Sequence, residues 1–304
     1  MLLHNDKENF DIVIRAASRY FNVSQAIIEK DYYVTLVLRE LAKQVPNLLF
    51  KGGTSLSKCY KIIDRFSEDI DITLDWEHQS QGKRRNLKYT IVEICNNLGL
   101  NLLNKDETRS RRDYNCYIID YCARYSLSGL NPQLLVETVF IVKAFPDEVK
   151  QASSMIYDYL KAVGNDEAIE KYELEPFEIR VQTLERTLID KVFALCDYVI
   201  GERILRHSRH VYDLSRLLTR VNLDEKLKEL VKDVRADRKP HALCYSAQDG
   251  FNVPKMLRKI IDEKIYKSDY ENITEKLLSI PVSYEEAIKA LELIIASGVF
   301  ETEN

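Results

Sequence analysis

The sequence predicts an α+β protein in which a mixed β-sheet domain with flanking helices precedes a helical bundle. Strand-type segments alternate with helices in the first half, whereas one amphipathic helical pattern follows another towards the end. With 45% hydrophobic and 30% charged residues, the chain can form a real core. We expect a sheet domain over 1–145, a connecting region over 146–181, and a helical domain over 182–304.

Composition removes several classes of protein. The net charge of −4 gives no support to bulk nucleic-acid binding, although a local basic groove remains open. The six cysteines include no C-x-x-C pair, which argues against a zinc site, and their wide scatter argues against a disulfide framework. No signal-peptide pattern and no apolar run near eighteen residues is present. We therefore expect a cytoplasmic protein with reduced thiols and no membrane segment.

The sheet domain is predicted element by element. Helices are expected over 7–45, interrupted before an N-cap at Ser24. The run "NLLFKGG" predicts a short buried strand that ends in a turn, and "TSLSKCYKII" predicts a helix capped by Thr54 or Ser55. Alternation in "DIDITLD" predicts a half-buried strand, and "GKRRNLKYTIVEICNNLG" predicts a helix that ends at Gly99. Two further strands are expected in "YNCYIIDYC" and "QLLVETVFIV".

A glycine pair stands at the predicted strand-to-helix turn. Gly52 and Gly53 either supply positive φ angles for a tight bend or let the backbone approach a phosphate group. A Walker A loop is excluded because the sequence has no G-x-x-x-x-G-K-[ST] motif at this turn.

Paired acids follow on the next predicted strand. Residues two apart in a strand share a face, so Asp69 and Asp71 point the same way, opposite to Ile70 and Ile72. The pair indicates either a solvent-facing sheet edge or a hard-oxygen site suited to magnesium. Glu137 is the acid within "QLLVETVFIV", and it is either a third carboxylate of that site or an exposed edge residue.

These motifs resemble a known family. The order strand, Gly-Gly, short helix and Asp-x-Asp is similar to the signature of the nucleotidyltransferase superfamily, although the spacing from Gly53 to Asp69 is long. The strings "KGGTSLSK" and "RFSEDIDI" resemble the AbiEii-type abortive-infection toxins of type IV toxin–antitoxin systems. So do "TLERTLIDKVFAL", which carries Lys191, and "RHVYDLSRLL", which carries Asp213. The resemblance implies a nucleotidyltransferase-type sheet domain before the helical domain.

The resemblance also implies site residues. Asp69 and Asp71 would be catalytic ligands of one or two Mg²⁺ ions, with Glu137 as a third metal ligand. The residues expected to bind the nucleoside triphosphate are Gly52, Gly53, Thr54, Ser55, Lys58 and Ser67.

Two residues of the helical domain carry family motifs. The resemblance implies that Lys191 acts catalytically on the phosphates, whereas a lone lysine on such a helix ordinarily reaches towards solvent. Asp213 either orients Lys191 or the nucleotide, or pairs with Arg209 on its own helix.

The function implied is a phage-defence toxin that adds nucleotides to an RNA acceptor such as the 3′ end of transfer RNA. Its partner would be a cognate antitoxin, often a winged-helix transcriptional regulator. The alternatives are nucleotidyl transfer to a protein hydroxyl, and a non-catalytic nucleotide-binding module. Two basic runs, over 83–88 and 105–112, are either an RNA-backbone contact or a solvated face.

Overall fold

The computed structural model describes residues 1–127 and 129–301, and it divides into two compact units. The first unit comprises 1–61, 66–140 and 147–181, and the second comprises 62–65, 141–146 and 182–304. The α+β fold class predicted from the sequence is confirmed. No helix of the described ranges is both long enough and apolar enough to span a bilayer.

A seven-stranded mixed sheet forms the centre of the first unit. Its strands are β1 (Leu48–Lys51), β2 (Asp69–Leu74), β3 (Asn101–Leu102), β4 (Tyr114–Asp120), β5 (Gln133–Val139), β6 (Asp147–Ala152) and β7 (Phe177–Gln182). Their order across the sheet is β3-β4-β5-β2-β1-β7-β6. β2 is antiparallel to β1 and parallel to β5, which places the acid-bearing strands β2 and β5 side by side.

Alternation along the central strands separates a buried face from an open one. On β2, Ile70 and Ile72 are fully buried, whereas Asp69 and Asp71 are only partly covered. Val136 on β5 joins the same buried face. This is the packing predicted for a half-buried strand, and it directs the acids away from the core.

Helices flank the sheet of the first unit. They are α1 (Lys7–Phe21), α2 (Gln25–Gln44), α3 (Gly52–Lys58), α4 (Gln81–Leu98), α5 (Met155–Ala162) and α6 (Asp166–Lys171). Ser24 caps α2 by accepting a hydrogen bond from the amide of Ala26, and α4 ends at Gly99 in the left-handed region, as predicted. The predicted cap of α3 is wrong, because α3 already begins at Gly52 and no side chain caps it.

The expected connecting region over 146–181 needs correction. Residues 147–181 supply two strands and two helices to the first unit. Val181 on β7 pairs with Phe50 on β1, and both side chains are fully buried. β7 is therefore buried beside β1, and residues 147–181 belong to the sheet domain and not to a connecting region.

The second unit is built mainly from helices, as the sequence predicts. They include α7 (Leu184–Ile200), α8 (Arg209–Leu217), α9 (Glu225–Arg238), α10 (Val253–Asp262), α11 (Lys267–Asp269), α12 (Tyr284–Ala287) and α13 (Lys289–Ser297), with 3₁₀ and π turns between some of them. Residues 62–65 and 141–146 also belong to this unit although they lie far away in sequence.

Candidate active site

Three carboxylates share the open face of the sheet. Asp71 on β2 lies directly opposite Glu137 on β5, and Asp69 lies opposite Leu135 on the same pair of strands. Cys116 on β4 lies opposite Glu137, and the pKa of its thiol responds to the charge of the nearby carboxylates. Burial and then the negative charges of Glu137, Asp69 and Asp71 raise the pKa of the Cys116 thiol to about 11. The carboxylates therefore form one negatively charged cluster.

The glycine turn is built against this cluster. Gly52 has a φ of +77°, a conformation that residues with a side chain rarely adopt. A Cβ atom placed on Gly52 would lie 2.0 Å from Oδ2 of Asp71 and 2.8 Å from its Cγ. The positive-φ explanation for the glycine pair is thus supported at Gly52, where the backbone also lies against the Asp71 carboxylate; approach to a phosphate group stays a prediction.

Replacing this glycine should disturb the site selectively. We expect Gly52→Ala to lower nucleotidyl transfer by at least about tenfold, since the methyl group would displace the Asp71 carboxylate and strain the turn. Gly82→Ala is the matched control, because a Cβ there meets no atom within 4 Å. Equal transfer rates for the two variants would show that the contact between Gly52 and Asp71 is unimportant.

The hydroxyl groups near the turn are engaged inside the protein. The Thr54 hydroxyl lies 2.9 Å from the Ser67 hydroxyl and 2.5 Å from the carbonyl oxygen of Asp69. Ser55 donates to the carbonyl oxygen of Gly52 at 2.8 Å. Thr54 and Ser67 therefore fasten α3 to the start of β2, beside Asp69. Binding of a triphosphate by these residues and by Gly53 stays a prediction.

The side-chain partners of Lys58 lie on α2. Its ammonium group is buried, forms an ion pair with Asp31, and donates to the Thr35 hydroxyl at 2.7 Å. Burial lowers the pKa of Lys58, while Asp31 opposes the shift. These contacts favour a structural role for Lys58, and its expected contact with the triphosphate is not supported by them.

α2 carries three consecutive charged residues that are buried near the candidate site, and the sequence analysis did not identify them. Glu29, Lys30 and Asp31 are all buried. Lys30 contacts the carboxylate of Glu68 and donates to the carbonyl oxygen of Asn131 at 2.7 Å. Because Glu68 precedes β2 and Asn131 lies just before β5, Lys30 ties together the beginnings of the two acid-bearing strands.

The donor set fits a hard divalent cation. Asp69 and Asp71 offer carboxylate oxygens on one face, and magnesium is commonly held by one or two carboxylates together with substrate phosphates. Within residues 1–127 and 129–301, no three His, Cys, Asp or Glu side chains group closely enough to hold a metal ion by themselves. Phosphate oxygens from a bound nucleotide would have to complete the coordination.

Lys191 and Asp213 meet in a buried cluster of the second unit. The Lys191 ammonium donates to Oδ2 of Asp213 at 2.6 Å and lies 3.3 Å from Nδ1 of His210. Arg65 binds the same carboxylate through two hydrogen bonds, each 2.7 Å long. Lys191 therefore does not reach towards solvent. Asp213 contacts Lys191, and its role in orienting Lys191 or the nucleotide stays a prediction.

The charges of this cluster are strongly coupled. Burial alone would raise the pKa of Asp213, but Arg65 and Lys191 outweigh it and hold that pKa well below its usual range. Burial lowers the pKa of Lys191, and the Asp213 charge opposes that change. Burial, together with the Lys191 charge, also depresses the pKa of His210, so its imidazole is neutral at pH 7.

The mixed sheet, the glycine turn and the paired aspartates occur together in the first unit, as the resemblance to nucleotidyltransferases led us to expect. Comparison with protein families matches residues 36–290 to the family described as "Nucleotidyl transferase AbiEii toxin, Type IV TA system". The chain belongs to this family of nucleotidyltransferase toxins, whose systems include a cognate antitoxin. No match to a curated protein was found.

Proposed function

We propose that this protein is a magnesium-dependent nucleotidyltransferase that adds nucleotides from a nucleoside triphosphate to the 3′ end of transfer RNA. Family membership supports the reaction class. The observation that carries the proposal is the carboxylate cluster of Asp69, Asp71 and Glu137, facing a turn that has no room for a side chain. A modified 3′ end would block aminoacylation and so stop growth.

The residues divide the work of the reaction. Asp69 and Asp71 would hold the cation, which supplies charge neutralisation at the triphosphate and lowers the pKa of the attacking hydroxyl. Glu137 lies beside them on the neighbouring strand, and its Oε1 accepts a hydrogen bond from Tyr114. Lys191, held by Asp213, is proposed as a cation that stabilises the transferring phosphoryl group.

A basic surface beside the carboxylates is proposed to bind the RNA backbone. It combines the two basic runs, which the fold brings together: Lys88 on α4 donates to the carbonyl oxygens of Lys105 and Thr108. Arg84 also pairs with Asp113, the neighbour of Tyr114. We define the basic surface by its exposed members, Lys83, Arg85, Lys105, Arg109, Arg111 and Arg112.

Charge reversal on this surface should impair RNA modification specifically. We expect the quadruple variant Lys83→Glu, Arg85→Glu, Lys105→Glu and Arg111→Glu to flatten the dependence of log affinity for RNA on log salt by about 3, since each lost phosphate contact removes about 0.7–0.9 from the slope. Affinity for the nucleoside triphosphate should stay unchanged, because these side chains are not part of the carboxylate cluster.

The control carries the same change of charge elsewhere. Lys226, Lys255, Arg258 and Lys289 are exposed basic residues of the second unit, and their replacement by Glu should leave the slope close to that of the wild type. Equal slopes for wild type and the first variant would show that the basic surface is only a solvated face and does not contact the RNA backbone.

The destination of the label tests the acceptor directly. The protein is incubated with α-labelled nucleoside triphosphates, magnesium, and either transfer RNA or lysate protein. Label in the RNA supports the proposal. Label in protein alone would favour transfer to a protein hydroxyl, and label in neither would favour a non-catalytic nucleotide-binding module.

The remaining parts of the proposal concern the cellular setting. We propose that the cognate antitoxin is a winged-helix transcriptional regulator and that the pair serves in phage defence. The toxin would act in the cytoplasm, where nucleoside triphosphates and transfer RNA are available. Restored growth on expression of the neighbouring regulator, in cells that also express the toxin, would support this pairing.

A further inference from the structure

Tyr114 places a phenol at the edge of the carboxylate cluster. It is the first residue of β4, its side chain is 47% exposed, and its hydroxyl donates to Oε1 of Glu137 at 3.0 Å. No step of the proposed reaction uses this hydroxyl. Its oxygen is a nucleophile next to the carboxylates.

The strand register fixes how Tyr114 meets the cluster. Cys116, two residues further on, lies opposite Glu137, and Glu137 lies opposite Asp71. Because residues two apart share a face, Tyr114 projects to the same side as the carboxylates. A tyrosine hydroxyl has an ordinary pKa of about 10, so it attacks phosphorus only when a base accepts its proton.

That base is already in contact with it. A hydroxyl that donates to a carboxylate is the arrangement that an acceptor needs when its proton leaves during attack on phosphorus. The separation of 3.0 Å between the phenol oxygen and Glu137 lies within the range for such a transfer. Exposure of nearly half the side chain leaves the ring accessible from solvent.

We propose that Tyr114 is an internal acceptor, so that the enzyme modifies itself with a nucleotide; this inference rests on the proposed function. The phenol oxygen attacks the α-phosphorus of a nucleoside triphosphate, and the bond from that phosphorus to the pyrophosphate oxygen breaks. The phenol proton passes to Glu137. The products are a Tyr114 phosphodiester carrying one nucleoside monophosphate, and free pyrophosphate. The attached nucleotide then lies on the carboxylate face and competes with further transfer.

Mass spectrometry of the full chain tests the proposal. The protein is incubated with magnesium and each of the four nucleoside triphosphates, without RNA. We expect one nucleoside monophosphate to be added per chain, and fragmentation of the tryptic peptides to locate it on Tyr114. Tyr114→Phe should abolish the addition, and Asp71→Asn should abolish it as well. Tyr89→Phe, which removes another exposed tyrosine, is the matched control and should be modified like the wild type.

The outcomes distinguish self-modification at Tyr114 from the proposed nucleotidyltransferase function on which it rests. Wild-type protein that labels RNA yet carries no adduct, or carries it on another residue, would overturn the internal acceptor and leave the nucleotidyltransferase standing. Failure to label RNA, lysate protein and itself would overturn both. If Tyr114→Phe does not fold, the peptide map of the wild type decides alone. Slower RNA modification by enzyme that was pre-incubated with nucleoside triphosphate would support the inference that the attached nucleotide competes with further transfer.

Discussion

Asp71→Asn is expected to lower nucleotidyl transfer by at least about a hundredfold, the scale of losing one catalytic electrostatic group. Asp71 is the member of the cluster that lies against the glycine turn, and in the strand register it stands opposite Glu137. An amide keeps the shape of the side chain but loses the charge that a magnesium ion requires. Asp69→Asn should have an effect of the same order.

Stability should respond differently from activity. Removing one charge relieves repulsion within the carboxylate cluster, so the Tm of Asp71→Asn should be unchanged or slightly raised. Glu178→Gln removes an exposed acid from β7 of the same sheet and should keep the wild-type rate. The assignment fails if Asp71→Asn retains near-wild-type transfer in magnesium.

Asp213→Asn is expected to lower the free energy of unfolding by about 3–5 kcal/mol, the usual cost of leaving buried charges unpaired. The carboxylate of Asp213 neutralises both Arg65 and Lys191, and all three side chains are at least 95% buried. Without it, two cations remain in the interior of the second unit. Urea denaturation of the full chain measures the loss.

The direction of the Asp213 pKa shift predicts how the loss of stability should depend on pH. The folded-state pKa of Asp213 is depressed, so its stabilising contribution is present above the unfolded value of about 3.9 and is lost as pH falls through the lower folded pKa. The difference between wild type and Asp213→Asn should therefore persist from neutral pH down to about pH 4 and shrink below it.

Two further variants show whether charge is the cause. Glu263→Gln breaks an exposed ion pair with Lys259 in the same unit and should cost less than about 1 kcal/mol. Adding Lys191→Met to Asp213→Asn removes one of the stranded cations and should recover part of the loss. Identical unfolding curves for Asp213→Asn and Glu263→Gln would contradict the buried-cluster account.

Periodic patterns explain how much of the fold the sequence could predict. Alternation in β2, β4 and β5 and the caps at Ser24 and Gly99 are local signals, and each was confirmed. The short charged segment "DEVKQA" of β6 lacks such a signal because few of its side chains are buried. β7 does alternate, with Ile179 and Val181 buried, and this was the signal that could have identified it.

Long-range polar contacts explain what was missed at the site. Arg65 sits in a segment without periodicity, and its partner Asp213 lies 148 residues further along the chain. Lys30 stands on a helix whose pattern would place a charged residue at the surface, yet it is fully buried. Both depend on partners that only the folded chain brings together. The Asp69–Asp71 pair, by contrast, could be found because two residues of one strand necessarily share a face.

The most direct test of the account follows two positions of the phosphate label in one reaction. The protein is incubated with magnesium, transfer RNA and nucleoside triphosphate labelled in either the α- or the γ-phosphate. Nucleotidyl transfer predicts that the α-label enters the RNA, that the γ-label leaves in pyrophosphate, and that Asp71→Asn suppresses both. Entry of the γ-label into the acceptor, or α-label transfer that survives loss of Asp71, would contradict it.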